Sequence, residues 1–377
     1  MPWGETSIMS LRLEFVMLAR QEGANIRELC RRYEVQPRIG YKWLKRYAEE
    51  GEAGLADRSR RPRHSPTRTA AESEAIIVAL RRQHPCWGGR KLRRRLSDLG
   101  VREVPSASAI TAVLHRHGLI EAEESAKHRA FVRFEHAAPN ELWQMDFKGH
   151  FATAAGRCHP LTMLDDHSRF ALAVAACGDE RRATTEAVMT AVFRRYGLPD
   201  RMLMDNGAPW RGDEDSPWTK LTAWLLRLGV GVAHGRPYHP QTQGKDERFH
   251  RTLNAEVIGC HAWRDLADCQ AAFDRWRHVY NAERPHEALG LDTPATRYRA
   301  SRRGFPENLP AIDYGDGAIV RKVHQKGELF FANRIWRVGK AFEGQPVALR
   351  PTTTDGRYDV VFCQHKIAEL DLREVDP

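Results

Sequence analysis

The spacing of hydrophobic and polar residues divides the chain into a helical region, a mixed region and a region of short strands. Between residues 8 and 50 the spacing predicts three short helices. In the middle helix, NIRELCRRY, one face collects the apolar residues Ile26, Leu29, Cys30 and Tyr33. Residues 70–119 predict a second module of three helices, and from residue 140 the pattern predicts strands.

The third predicted helix, PRIGYKWLKRYAEEG, begins at Pro37, because proline is tolerated at the first helical position. Its predicted buried residues are Ile39, Trp43 and Tyr47. The exposed side carries four cations: Arg38, Lys42, Lys45 and Arg46. Two short helices with a tight turn and a basic second helix are typical of a DNA-binding helix-turn-helix. A three-helix scaffold with a solvated basic face is the alternative.

The second module contains a strongly basic helix, GGRKLRRRLSDLG. Its predicted inward residues are Leu92, Leu96 and Leu99, and its predicted outward cations are Arg90, Lys91, Arg93, Arg94 and Arg95. Gly100 suits the end of this helix and Ser106 suits the N-cap of the next one. The buried face of that next helix is predicted to be Ile110, Val113 and Leu114. This module is a second candidate for DNA binding.

An arginine-rich segment, residues 57–69, separates the two modules. It contains prolines and cannot bury apolar surface, which predicts an extended linker. Four of its arginines suit DNA phosphates or a minor groove: Arg58, Arg60, Arg61 and Arg63. A solvated linker without a DNA role explains the same composition.

Residues 139–300 predict an α/β domain on a mixed sheet, with the order β-β-β-α-β-α-β-α. The tail at 311–377 alternates short strand-like runs with Gly and Asp turns, which predicts a small β-barrel. The complete prediction is a helix-turn-helix domain (1–56), a linker (57–69), a second helical domain (70–120), another linker (121–138), the α/β domain (139–300) and a small barrel (311–377).

The charge balance favours a polyanionic partner. The 377 residues include 59 Lys and Arg against 49 Asp and Glu, a net charge of +10, and nucleic acid is the simplest partner. Seven scattered cysteines without a CxxC argue against a disulfide framework, and His64, His84 and Cys86 lack zinc-ligand spacing. The N-terminus is not typical of a signal peptide, and no apolar run is long enough for a membrane span. A cytoplasmic protein is therefore expected.

Three acids stand at the ends of predicted elements in the α/β domain. Asp146 lies in the first strand, Asp205 ends the fourth, and Glu247 begins a basic helix. Open α/β sheets carry their sites at the carboxyl ends of strands. Carboxylates from different elements suit Mg²⁺ or Mn²⁺, and two such ions can activate a nucleophile and stabilise a leaving oxygen at a phosphodiester. On pattern alone, an acid at such a position is an ordinary surface residue more often than a metal ligand.

The helix around Glu247 carries both acids and cations. Arg251 lies one turn later on the same face, where it would meet DNA, and the predicted buried side is Phe249, Leu253 and Val257. Asp246 is expected to point elsewhere, as a solvated or structural acid. Lys245 is predicted to contact phosphate or to be solvated, and His250 adds a cation if it is protonated.

Two further acids and a serine lie in the turn LDDHSRF. Asp165 and Asp166 could approach the metal ions, although a hairpin turn explains both. No base pattern accompanies Ser168, so a serine nucleophile is disfavoured.

At these residues the chain resembles the DDE integrase-core transposases of bacterial insertion sequences, relatives of retroviral integrases. The motifs are WQMDF, MDNG, HPQTQGKDERFHRTL and YNAERPHEALGLDTPATRY, and the linker GLADRSRRPRHSP also matches. The resemblance covers nearly the whole chain. It implies an α/β ribonuclease-H-like core, two divalent cations, and Asp146, Asp205 and Glu247 as the triad.

The resemblance also implies a reaction and its partners. Helical modules would bind double-stranded DNA at the ends of a mobile element, and the core would free a 3′-hydroxyl that attacks target DNA. Pairing of two ends implies at least a homodimer on DNA, in a bacterial cytoplasm and associated with the nucleoid. A DNA-binding regulator with an inactive core and a nuclease that never joins are the alternatives, and the intact set of three acids argues against the first.

The sequence departs from the family in three places. A polar loop, APWRGDEDSPW, lengthens the interval between Asp205 and Glu247, and its acids are expected to face solvent: Asp213, Glu214 and Asp215. Asn254 stands where retroviral relatives carry a basic residue, which puts a DNA contact there in doubt. The zinc module of retroviral integrases is absent, so no zinc is expected.

Overall fold

The structure is a computed structural model that describes residues 8–58, 69–120, 135–205, 207, 210, 216–234 and 244–373. The chain divides into two compact units, residues 1–68 and 69–377. The finer domain boundaries inside the second unit stay predictions. Within the described ranges, no helix is both long and apolar enough to cross a membrane.

The first unit contains three helices, as the spacing predicts: α1 (Ile8–Ala19), α2 (Ile26–Arg32) and α3 (Pro37–Glu50). The side chain of Asn25 caps α2 by accepting a hydrogen bond from the backbone N–H of Glu28. A small core joins the three helices, and its fully buried members are Phe15, Val16, Cys30, Trp43 and Leu55.

The buried face of α3 begins one residue later than the sequence predicts. Ile39 is 40% exposed, so the prediction that it lies inward is wrong. Gly40 takes that place, because a Cβ there would lie 2.6 Å from the Cys30 sulfur and 2.8 Å from the Phe15 ring. The missing side chain lets α3 approach α1 and α2 closely, and Trp43 completes the contact.

The second unit begins with another three-helix module: α4 (Ala71–Gln83), α5 (Gly89–Asp98) and α6 (Ala107–Arg116). Ser106 caps α6, and Gly100 follows α5 with a φ of 73°, both as predicted. The predicted faces are buried, except that Leu99 is 55% exposed. The prediction for Leu99 is wrong because α5 ends at Asp98 and Leu99 is already its C-cap.

The next elements form a mixed sheet with helices on both faces. They are β1 (Leu142–Phe147), β2 (Phe151–Thr153), β3 (Gly156–Asp165), β4 (Ala171–Cys177), α7 (Arg182–Tyr196), β5 (Arg201–Met204), α8 (Lys220–Arg227), β6 (Gly231–His234), α9 (Gly244–Glu256), α10 (Leu266–Ala282) and α11 (Pro294–Arg297). The strand order is β4-β3-β1-β5-β6, with β2 paired to the start of β3. The β1–β5 and β5–β6 pairs are parallel, whereas β1–β3 and β3–β4 are antiparallel.

Two apolar cores fix the helices to this sheet. On one face, Met189 and Phe193 of α7 and Leu225 of α8 pack against Trp143. On the other face, α9 and α10 pack against β3 and β4. The buried stripe of α9 is Phe249 and Leu253, continued by Val257 just beyond its end, as predicted. This stripe fixes which side of α9 turns away from the sheet.

The tail forms open sheets, and the predicted barrel is not confirmed. Its strands are β7 (Ile319–Lys322), β8 (Glu328–Phe331), β9 (Arg334–Arg337), β10 (Pro346–Pro351), β11 (Arg357–Phe362) and β12 (His365–Asp371). Four of them pair in the order β12-β11-β10-β7, and β8 with β9 forms a separate hairpin. The four-stranded sheet stays open because β7 and β12 do not pair with each other. Its apolar face packs against Ala223 and Leu226 of α8 instead.

Replacing Gly40 by alanine should destabilise the first unit by about 1–3 kcal/mol, because the new methyl group would overlap Cys30 and Phe15. Thermal unfolding of the full chain, followed by tryptophan fluorescence, measures the change. Gly304→Ala is the matched control, since Gly304 has open space around it and an ordinary backbone φ. Equal stability of the Gly40→Ala variant and the wild type would contradict the close approach of α3.

Candidate active site

Asp146 and Asp205 lie side by side at the carboxyl ends of two parallel strands. In the register of β1 with β5, Gln144 pairs with Leu203. Two residues further along the chain are Asp146, still in β1, and Asp205, which directly follows the end of β5, and continued alternation turns both side chains to the same face. Asp205 accepts a hydrogen bond from the backbone N–H of Gly207 at 3.0 Å, which holds the turn after β5.

The surroundings of Asp146 disfavour its charge. Burial raises its pKa to about 7, and the negative charges of Asp205 and Glu180 add to the effect, whereas the backbone N–H of Phe147 opposes it. A carboxylate held beside another in a half-buried site is a group that a cation would stabilise.

The structure brings α9 against β1, but it turns Glu247 and Asp246 in different directions. Glu247 lies in the first turn of α9 with its side chain exposed. Asp246 is only 4% exposed, and burial and the charge of Asp146 raise its pKa well above the ordinary value. Of the two interpretations given to Asp246, the structural one holds and the solvated one is wrong.

His250 is a site residue that sequence reasoning did not identify. Its Nε2 lies 2.7 Å from the hydroxyl of Thr162, which donates a hydrogen bond to the backbone carbonyl of Asp146 at 3.0 Å. Its Nδ1 lies 3.9 Å from Oδ2 of Asp146. Burial and the charge of Lys148 lower the pKa of His250 to about 4, so the ring is neutral at pH 7 and is not one of the cations of α9.

The tautomer of His250 follows from these contacts. Because the Thr162 hydroxyl gives its one proton to the Asp146 carbonyl, the histidine Nε2–H must donate to Thr162. The lone pair of Nδ1 then faces Asp146. The position of His250, one turn after Asp246 and next to the buried stripe, was the available sequence signal.

The turn between β3 and β4 uses its two acids differently. Asp165 accepts hydrogen bonds from the backbone N–H groups of Ser168 and Asn140, both at 2.8 Å, which confirms a turn-forming role. The carboxylate of Asp166 instead accepts from the Gln144 side chain at 2.7 Å and from the ammonium of Lys245. A DNA contact by Lys245 stays a prediction, and its ammonium is already paired within the protein.

The residue types at this site fit a hard divalent cation. Asp146, Asp205 and Asp246 concentrate carboxylates, and Oδ1 of the buried Asp246 has no hydrogen-bond partner. Such an excess of negative charge suits Mg²⁺ or Mn²⁺, which take oxygen ligands. Within the described ranges, however, no three His, Cys, Asp or Glu side chains are grouped closely enough to hold a metal ion. A preformed three-carboxylate site is therefore not present in the described part of the chain.

The predicted DNA-binding cations of the first unit form one surface on α3. Arg38, Lys42 and Lys45 are exposed, and Lys42 and Arg46 lie over the Trp43 ring at 4.5 and 5.1 Å. Arg58 pairs with Glu50. The remaining linker arginines lie outside the described residues: Arg60, Arg61 and Arg63. His64 and the loop acids Asp213, Glu214 and Asp215 are outside them as well.

Some of the cations of the basic helix α5 face the α/β domain instead of solvent. Arg94 pairs with Asp98 at 2.9 Å and with Asp292 at 3.0 Å, and Arg95 pairs with Glu283. Burial lowers the pKa of Lys91 to about 8, with a contribution from Arg284. The prediction that the whole row faces outward is therefore wrong for these residues, whereas Arg90 and Arg93 are exposed. On α9, Arg251 is exposed as well.

Known family models cover the chain in segments. The model for the C-terminal domain of IS481 family transposases matches residues 318–377, and two integrase core domain models match residues 136–240 and 228–294. A helix-turn-helix domain model matches residues 11–63 and a homeodomain-like one matches residues 39–114. The chain is a DDE integrase-core transposase of the insertion-sequence type. The predicted enzyme class, a polynucleotidyl transferase, is confirmed with the family.

Two insertion elements supply similar proteins. The transposase is 27% identical over 241 residues to the IS476 uncharacterized 39.2 kDa protein of Xanthomonas euvesicatoria, covering 62% of this chain and 67% of that one. It is 27% identical over 168 residues to the IS407 uncharacterized 31.7 kDa protein of Burkholderia multivorans, covering 44% and 58%. The transposase thus spans about two thirds of the first relative and over half of the second.

Retroviral proteins supply similar solved structures. An intasome of simian T-cell lymphotropic virus, in complex with a PP2A regulatory subunit, aligns at a TM-score of 0.40 and 13% identity, over 80% of this chain and 99% of that chain. The HTLV-2 integrase catalytic core domain in complex with magnesium aligns at a TM-score of 0.33 and 16% identity, over 43% and 99%.

The raised pKa of Asp146 predicts a pH-dependent stability in the absence of divalent cations. An unfolded chain ionises this carboxyl near its ordinary pKa of 3.8, whereas the folded transposase does so only near pH 7. The folded state therefore binds the proton more tightly between these values, and its stability should fall as the pH rises from about 4 to about 7.

The Asp146→Asn variant should lose this pH dependence and should unfold at least ~2 °C above the wild type at pH 8 in EDTA. Thermal unfolding at pH 4.5 and pH 8 measures the effect, and the difference should shrink at the lower pH. A variant less stable than the wild type at pH 8 would show that the carboxyl of Asp146 is not strained by its surroundings.

Proposed function

We propose that this transposase binds the ends of its mobile element, cleaves one DNA strand there and joins the freed 3′-hydroxyl to target DNA. Membership of the integrase-core family supports a role in DNA transposition. The observation that carries the proposal is that Asp146 and Asp205 lie near each other at the carboxyl ends of adjacent parallel strands, with the helix of Glu247 packed against β1. Carboxylates arranged in this way are the ligands that metal-dependent phosphoryl transfer requires.

Three residues would hold two Mg²⁺ or Mn²⁺ ions: Asp146, Asp205 and Glu247. When bound, the ions supply activation of the attacking hydroxyl and stabilisation of the leaving oxygen. The residues of the chain then supply orientation. Thr162 holds the backbone carbonyl of Asp146, His250 holds the Thr162 hydroxyl, and the backbone N–H of Gly207 holds the carboxylate of Asp205.

Glu247 completes this set only after α9 and the two strand acids draw closer, since the described residues contain no group of three ligands. Its exposed position in the first turn of α9 leaves it accessible for that step. In that closer arrangement, a cation held by the three carboxylates would compensate the negative charges that contribute to the raised pKa of Asp146.

DNA binding in this proposal depends on the surface of α3. Its exposed cations suit the phosphates that flank a major groove, and the helix-turn-helix order suits insertion of α3 into that groove. Arg251 lies on the same side of α9 as Glu247 and is available to the scissile strand. Two element ends must be held together for joining, which requires at least a homodimer on DNA.

The decisive experiment combines binding, cleavage and joining. Labelled duplexes from the flanks of the gene are incubated with a supercoiled plasmid and Mg²⁺ or Mn²⁺. The wild type should nick the duplex and join its 3′ end to the plasmid, and EDTA should abolish both reactions. Glu247→Gln should lower both rates at least ~100-fold while DNA binding is kept, because one metal ligand is lost.

Glu343→Gln is the control, since Glu343 is an exposed acid in the tail, and it should react like the wild type. Specific binding without nicking or joining by the wild type would favour the regulator. Nicking of correct ends without joining would favour the nuclease.

A further inference from the structure

A single buried carboxylate links the strand of Asp146 to the helix of Glu247. We infer that Asp166 is a positioning residue, which sets the distance between these two acids through Gln144 and Lys245. The inference rests on the proposed function in one respect, namely that Asp146 and Glu247 act together. The contacts themselves do not depend on it.

The link to the first acid runs through β1. Asp166 is 1% exposed, and its Oδ1 accepts a hydrogen bond from Nε2 of Gln144 at 2.7 Å. Gln144 is itself buried and lies two residues before Asp146 on the same strand. Residues two apart on a strand point to the same face, so this bond holds the face that presents Asp146.

The link to the second acid runs through α9. The ammonium of Lys245 pairs with the same Oδ1 of Asp166, and the Lys245 side chain is only 17% exposed. Lys245 lies two residues before Glu247, in the first turn of the helix. The residues just before α9, 235–243, lie outside the described ranges, so within the described part of the chain this pair is the tether nearest to the start of the helix.

The turn itself does not require Asp166 for its shape. Asp165 already accepts a hydrogen bond that closes the turn, from the backbone N–H of Ser168, and a second one ties the turn to the backbone N–H of Asn140, just before β1. The guanidinium of Arg169 donates to the backbone carbonyl of Asp166 at 2.7 Å, and the backbone N–H of His136 donates to its Oδ2 at 3.0 Å. These contacts fix the Asp166 carboxylate in one orientation, from which it can hold two separate elements.

Burial makes this link strong enough to position a helix. Without Lys245, Oδ1 of Asp166 would keep only the Gln144 amide at 2.7 Å and the guanidinium of Arg169 at 4.0 Å, so opening this buried pair costs more than opening a solvated one. A second contact also holds α9 against the sheet, because Nε2 of His250 is hydrogen-bonded to the hydroxyl of Thr162 on β3. Glu247 therefore lies between two tethers to the same hairpin, one from Lys245 and one from His250.

The test uses Asp166→Asn, Lys245→Met and the double variant, without metal and then with it. In metal-free hydrogen–deuterium exchange, amides of residues 244–250 should exchange about 10-fold faster in each single variant, because the first turn of α9 is released. The double variant should exchange no faster than the single ones, since both substitutions remove the same link. Lys245→Arg keeps the charge and should exchange like the wild type.

Asp166→Asn, Lys245→Met and the double variant should lower Mg²⁺-dependent strand cleavage about 100-fold, the size of effect expected when a catalytic group is misplaced by about 1 Å. They should also raise the Mg²⁺ concentration for half-maximal rate, which a purely structural defect elsewhere would not do. Glu307→Gln, which breaks the exposed Arg194–Glu307 pair, is the matched control and should change neither quantity.

Unchanged exchange in both single variants would overturn the inference, and so would additive effects in the double variant. If Asp166→Asn does not fold, the exchange rates of residues 244–250 in Lys245→Met and Lys245→Arg test the inference by themselves, and equal rates in these two variants would overturn it. If the wild type shows no metal-dependent cleavage, the proposed function fails, yet the exchange experiment still shows whether Asp166 holds α9.

Discussion

The mutual repulsion of carboxylates at one end of the sheet is the constraint on which the rest of the structure depends. Asp146 on β1 lies near Asp205, which follows the end of β5, and burial together with the charge of Asp146 raises the pKa of Asp246. The charged forms of Asp146 and Asp246 would be more stable in water. The fold must therefore hold them in place by interactions elsewhere, and the two apolar cores on either side of the sheet supply most of that stabilisation.

The helix α9 shows how the packing and the charges are combined. Its stripe of Phe249 and Leu253 is fully buried against β3, β4 and α10, which fixes the rotation of the helix about its axis. Its position along that axis is then set by polar contacts, from Lys245 to Asp166 and from His250 to Thr162. Apolar contacts tolerate small sliding movements, whereas a buried ion pair and a directed hydrogen bond do not.

Sequence reasoning predicted the elements of this fold better than the contacts between them. Local patterns were sufficient for the order of the longer strands and helices, although they missed the three-residue strand β2, and also for the caps at Ser106 and Gly100 and the buried stripe of α9. The interior position of Gly40 could not be predicted from periodicity, since it depends on how closely α3 approaches Phe15 and Cys30. The open tail sheet likewise depends on the packing of its strands on α8 rather than on their number.

The candidate site likewise has residues that the sequence marks and contacts that the sequence does not reveal. The three acids could be singled out because motif and position mark them in the sequence. The partners of Asp166 could not, since Gln144 and Lys245 lie 22 and 79 positions away along the chain.

The cations of α5 also show that long-range contacts cannot be predicted from local sequence. Their charge predicts a DNA-binding face, yet Arg94 pairs with Asp292 and Arg95 pairs with Glu283. A net charge of +10 is therefore not a measure of the surface offered to DNA, because part of it is neutralised within the fold. The cations of α3 are a better guide, since Arg38, Lys42 and Lys45 remain exposed on a single helix.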